Sequence, residues 1–201
     1  IQHIHFEPIS KARFKDYQAR AEMDAEPVGK YISDGDWLTI VKHLPENLEP
    51  FACLGYYYGL RRAETLAFKP EDLRRDHLSV ERQLKAFSGV DAVDLHPLKG
   101  KKRRKTPHWF IVPSKTHQWV QGAALHRCAP DSLGNRWNLL MRRLGLNYDM
   151  HDLRRTFITK AMKLYAPTDV QLAVGHENLA TTMLYLRDDR QFGDEVWRPG
   201  A

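Results

Sequence analysis

With 201 residues the chain is long enough to bury the core of one domain and a small appendage. Thirty-one Lys and Arg against 25 Asp and Glu give a formal charge of +6, the electrostatic footprint of a nucleic-acid binder. Two cysteines, Cys53 and Cys128, without a CxxC or His-rich ligand pattern, argue against a disulfide scaffold or a zinc site and fit a reducing, cytoplasmic setting.

The longest nearly apolar run, Phe51–Leu60, is far short of a membrane span, and no signal-peptide pattern opens the chain. Residues 1–30, beginning at Ile1, read as a linker or the end of a missing upstream DNA-binding domain. Residues 31–187 read as the main domain and 188–201 as a tail that carries Phe192 and Trp197.

In chain order, Ser33 or Asp34 caps a helix that runs to about His43, with Trp37, Ile40, Val41 and Leu44 inward. A second helix is expected from about Leu48 to Tyr58, apolar nearly all round and closed by Gly59. Arg61 follows at once, with Glu64 one turn on to brace it. A planar guanidinium fork suits a phosphate, although a surface arginine is the plainer reading.

Three strand-like runs come next, His77–Leu84, Ala92–Leu98 and Thr106–Val112, with turns at Gly89 and Gly100. Between the last two lies Lys99-Gly-Lys-Lys-Arg-Arg-Lys105. It reads either as a solvated hairpin turn or as a tip touching a nucleic-acid backbone through Lys101, Lys102, Arg103, Arg104 and Lys105. Helices are then expected over about Thr116–His126 and Asp131–Leu144, the latter ending at Gly145. The fold class is therefore mainly α with a small antiparallel three-stranded sheet, arranged as a meander.

The stretch from His151 to Tyr185 carries the most chemistry. A helix beginning near Asp152 puts His151 and Arg154 on one side of its first turn. Leu153, Phe157, Ala161 and Leu164 form its apolar stripe, so the basic pair is expected to face elsewhere. Arg155 adds a further charge and is expected to contact DNA. Near the end, Leu179, Ala180, Met183, Leu184 and Leu186 gather on one half of a helix, with Thr181, Thr182 and Tyr185 opposite. A tyrosine off the apolar half is a candidate for chemistry. His176, after Gly175, fits either a helix cap or a site residue.

GLRRAE at residues 59–64, LKGKKRRKTP at 98–107, HDLRRTFIT at 151–159 and VGHENLATTMLYLR at 174–187 occur in this order. Together they resemble the catalytic domain of the tyrosine recombinase (phage integrase) family, over roughly Tyr31 to Arg187. The resemblance implies the catalytic set Arg61, Lys99, His151, Arg154, His176 and Tyr185, with Tyr185 the nucleophile. Leu98 precedes Lys99 where a small polar residue is common, and Lys101 and Lys102 stand close enough to compete for the lysine role.

It further implies site-specific recombination or integration through a 3′-phosphotyrosyl intermediate, without metal or cofactor. The partner would be double-stranded DNA, bound by a homotetramer that is monomeric alone. Relaxation of DNA by a type IB topoisomerase, and a non-catalytic DNA-binding module of the same fold, are the alternatives. The tail is expected to bury Phe192 and Trp197, in cis alone and on a neighbouring protomer on DNA.

Overall fold

The computed structural model describes residues 30–86, 93–98, 103–109 and 130–185. The linker at 1–29, the expected helix at 116–126, Lys99, Lys101, Lys102, Cys128 and the tail with Phe192 and Trp197 lie outside the described residues.

Helix α1 (Asp34–His43) starts where the sequence predicts, with the Ser33 hydroxyl accepting the Asp36 N–H at 3.1 Å. Helix α2 (Glu49–Tyr58) is buried on nearly every side and forms the centre of the molecule. Ala52, Cys53 and Tyr56 pack with Trp37 and Ile40 of α1. Its Leu54 and Tyr58 pack against Leu78 and Val80, and its Phe51 against Leu84 and Leu133.

Gly59 ends α2 with φ 63°, and a Cβ there would stand 2.5 Å from a Phe157 ring carbon. Any other residue would be both strained and in collision. The short helix α3 (Arg62–Thr65) follows, then a 3-10 turn at Pro70–Asp72.

The small β layer differs in detail from the expected meander. The first run is broken at Glu81 into β1 (His77–Val80) and β2 (Arg82–Ala86). β2 forms a two-stranded antiparallel sheet with β3 (Val93–Pro97), and β1 forms another with β4 (Arg104–Pro107). The first run therefore serves both partners, β4 through its first half and β3 through its second. The last strand begins at Arg104, two residues earlier than the sequence suggests, because His77↔Pro107 and Val80↔Arg104 set its register.

Helix α4 (Pro130–Arg143) ends before Gly145. Helix α5 (Met150–Leu164) starts slightly earlier than expected, capped by Asp149. Its Leu153, Phe157 and Ala161 are fully buried as predicted, but Leu164 is exposed in the last turn. Helices α6 (Pro167–Val174) and α7 (Leu179–Met183) close the described chain, and Val170 and Val174 seal α6 onto α5. Among the described residues no helix is long and apolar enough to cross a membrane.

Candidate active site

Three chain segments end at one place: the C-terminus of α2, the C-terminus of α6 and the first turns of α5. Helix C-termini leave carbonyls without helical partners and carry the negative end of the dipole. Here arginines satisfy them. Arg154 donates to Gly59 O at 2.5 Å and to Val174 O at 2.7 Å, tying the ends of α2 and α6 together. Arg104 Nε and Thr106 Oγ1 both donate to Ala173 O, at 3.0 and 2.8 Å.

Gly175 closes α6 at φ 69°, where a Cβ would lie 2.9 Å from Arg104 Cδ. Its glycine is thus fixed by conformation and by the arginine beneath it.

Glu64 is the hub. It is 3% exposed, and its carboxylate accepts a two-bond fork from Arg104 at 2.9 and 2.5 Å. Arg61 Nη1 lies 2.9 Å from Oε1, and Arg154 Nη1 is 4.0 Å from Oε2. Glu64 also accepts the backbone N–H of Arg61 at 2.8 Å, which fixes the start of α3. Burial pushes this carboxyl up, but the Arg104 bonds and the Arg104, Arg154 and Arg61 charges prevail and hold its pKa near 2.

Among the described residues, three guanidinium groups around one carboxylate leave this cluster with an excess of two positive charges. The excess is felt. Burial first, then the Arg61 and Arg104 charges, push the Arg154 pKa below the ordinary arginine value, with Glu64 and Tyr185 opposing. Arg61 is the outermost of the three, its side chain 39% exposed.

His176 and Tyr185 form the adjoining wall. Their rings stack with centroids 6.2 Å apart and planes 20° apart. His176 Nδ1 lies 2.9 Å from Thr182 Oγ1. Burial lowers the His176 pKa to about 3, reinforced by Arg154, Arg61, Arg104 and His151, so the ring is neutral at neutral pH. His151, in the first turn of α5, thus belongs to the same neighbourhood.

The structure therefore brings Arg61, His151, Arg154, His176 and Tyr185 together, while Lys99 lies outside the described residues. Several sequence expectations change. Arg154 does not face away from the apolar stripe; it is 1% exposed, because the carbonyls of Gly59 and Val174 give its charge an interior seat. Tyr185 packs beside Met183 against the α5–α6 cluster, and Thr182 is fully buried. Helix α7 ends at Met183 and the next two residues tighten into a 3-10 turn, so a uniform helical wheel misplaces them.

Two basic residues assigned to a DNA-facing surface are turned inward. Arg104 is buried on Glu64 and Ala173, and Arg155 donates to Asp152 Oδ1 at 2.9 Å with its side chain 14% exposed. The signal for Arg104 was strand alternation: Arg104 and Thr106 share the buried face of β4 while Lys105 is exposed. Arg103 projects outward, 3.9 Å from Glu81. Among the described residues no group of three or more His, Cys, Asp or Glu side chains is placed to hold a metal ion.

No protein-family model matches the sequence, and no curated protein matches it. Solved structures do match. The Tn1549 transposon integrase in complex with transposon right end DNA matches at TM-score 0.67 and 17% identity, over 84% of this chain and 66% of that one. A lambda integrase dimer bound to a COC′ core site matches at TM-score 0.54 and 16% identity, over 93% of this chain and 58% of that one. XerA recombinase matches at TM-score 0.54 and 14% identity, over 94% and 78%. The chain spans just under two thirds of the first of these and less of the second. The fold is that of tyrosine recombinase catalytic domains, mainly helical with small antiparallel sheets.

Proposed function

We propose that this chain is the catalytic domain of a tyrosine recombinase that cuts and rejoins DNA at specific sites through a 3′-phosphotyrosyl intermediate. The observation that carries this reading is the unbalanced cationic cluster of Arg61, Arg104, Arg154 and Glu64 beside the stacked His176 and Tyr185 rings. A phosphodiester supplies the missing negative charge, and the hydroxyl of the partly exposed Tyr185, unlike that of the buried Thr182, is the nucleophile at that wall.

In the reaction, Tyr185 Oη bonds to phosphorus while the bond from phosphorus to the 5′-oxygen breaks. Arg61 and Arg154 neutralise the non-bridging oxygens as charge builds on them. Neutral His176 donates a hydrogen bond to the same group, and His151 assists removal of the tyrosine proton. The departing 5′-oxygen takes a proton from Lys99 of the basic run, with Lys101 and Lys102 as competitors. Rejoining reverses these steps with a new 5′-hydroxyl, so the phosphodiester energy is kept in the covalent link. Lys101, Lys102, Arg103 and Lys105 track the DNA backbone, and paired sites are joined within a tetramer.

The test is incubation with nicked DNA carrying candidate sites, scored for an SDS-resistant protein–DNA band. Wild type should form the band, and Tyr185→Phe should lose it while retaining DNA affinity. A Tyr185→Phe protein that still forms the adduct overturns the assignment. Relaxation of supercoils without strand exchange between two sites would instead mark a topoisomerase.

A further inference from the structure

Thr182 lies on α7, three residues before Tyr185, and its side chain is fully buried. Among the described residues the only hydrogen bond of its hydroxyl is to His176 Nδ1, at 2.9 Å. His176 is itself held by its surroundings: its N–H donates to Gln171 O at 3.2 Å, and its C=O accepts from Gln171 Nε2 at 3.2 Å. Its ring is stacked on Tyr185. With its pKa near 3 the imidazole carries a single proton at neutral pH, so which nitrogen holds that proton decides what the ring can do.

Two arrangements fit the 2.9 Å contact. If Nδ1 carried the proton, it would donate to Oγ1, and the threonine proton would need a second acceptor within a dry interior. An unmade bond at a buried hydroxyl donor is unfavourable. If the hydroxyl donates to Nδ1, both groups are satisfied and the ring proton stays on Nε2.

We propose that Thr182 is a positioning residue that donates to His176 Nδ1 and so holds the imidazole as the Nε2–H tautomer, ready to donate to a phosphate oxygen. This rests on the recombinase reading for its purpose, but not for the hydrogen bond itself. The surrounding Arg154, Arg61, Arg104 and His151 charges disfavour a second proton on the ring, so its single proton must be placed by a hydrogen bond. A hydroxyl donating to Nδ1 fixes the ring proton on Nε2 before the anion arrives. The donor is then formed in advance and needs no reorganisation on binding.

The experiment is long-range 15N–1H correlation NMR of the full chain labelled at histidine, with His176→Gln to assign the resonance. Wild type and Thr182→Ser should both show a protonated Nε2 and a bare Nδ1, whereas Thr182→Val should show a mixture of tautomers. In the nicked-DNA assay Thr182→Val should slow adduct formation about tenfold, with Thr182→Ser restoring it to within about twofold. An Nδ1-protonated ring in wild type overturns the proposal, even if Thr182→Val does not fold. So does an unchanged tautomer in Thr182→Val, or equal slowing by Val and Ser. The stated tautomer in a protein that forms no adduct supports the hydrogen bond and overturns only the recombinase reading.

Discussion

Helix α5 joins two ionic clusters that are built differently. Near its C-terminal end, Lys160 donates to Asp34 Oδ1 and, at 2.7 Å, to Tyr56 Oη, while Tyr56 donates to Asp34 at 3.2 Å. One cation, one carboxylate and one hydroxyl close a triangle, roofed by Trp37 stacked 3.8 Å from the Tyr56 ring. Near the N-terminal end, Arg154, Arg104 and Arg61 converge on Glu64, the one carboxylate there among the described residues. The first cluster balances its charge and has nothing left to bind. The second retains positive charge in a partly desolvated place, where an incoming anion interacts more strongly than it would in water. Charge balance, more than burial, separates a structural cluster from a binding one.

The severest way to break this difference is Glu64→Gln. It removes the one carboxylate that the described residues place in the arginine cluster and leaves buried guanidinium groups facing one another. Loss of one partner from a buried ionic network costs about 3–5 kcal/mol. Chemical denaturation should show that loss, and adduct formation should fall with it, because Arg61 is braced by the same side chain. A change below about 1 kcal/mol would mean that Gly59, Ala173 and Val174 carbonyls hold the arginines unaided.

Arg61→Ala should separate function from stability. Arg61 is the most exposed member of the cluster, so its removal should shift stability by no more than about 1 kcal/mol. Removal of one donor to the transition state should still slow cleavage by about 10²-fold. Equal damage to folding and cleavage would make Arg61 a structural brace like Arg104.

That contrast also marks how far the sequence could be read. Helix α2, apolar on every side, was legible because no solvent-facing stripe interrupts it and Gly59 supplies its stop. The grouping of Arg61, His151, Arg154, His176 and Tyr185 followed from motif order. The inward turn of Arg104 did not, because it sits within a basic run whose composition masks a period of two. Nor did the burial of Arg154: helical spacing gives a direction, but the carbonyls that receive the guanidinium come from residues 95 and 20 positions away. Long-range polar partners leave no local pattern.

Acid should dissolve the site in two stages. His176 has a pKa depressed from 6.5 to about 3, so the stability it lends is full above 6.5 and is lost as pH falls below that. Glu64 is depressed from 4.5 to about 2, so its contribution is lost only as pH falls below 4.5. Between 6.5 and 4.5 the loss from this site therefore belongs to His176, and should amount to about 2 kcal/mol. His176→Gln should flatten that interval and leave the steeper loss below it. A slope that survives the substitution would place the acid sensitivity elsewhere.

The balanced cluster should affect stability and not cleavage, and its two members should do so unequally. Lys160 is 6% exposed at its side chain, whereas Asp34 is 37% exposed. Removing the lysine leaves a carboxylate that water reaches, still accepting from Tyr56 and still in the first turn of α1, where the helix dipole favours it. Removing the carboxylate leaves an ammonium that is already disfavoured by burial and has lost the partner that offset it. Asp34→Asn should therefore cost about 2 kcal/mol and Lys160→Met about 1 kcal/mol, with the methionine keeping most of the aliphatic contact. Neither should alter cleavage per folded molecule, since neither side chain touches the arginine cluster. If Lys160→Met proved the more damaging, or if either variant slowed cleavage while remaining folded, the two ends of α5 would be coupled and the division by charge balance would fail.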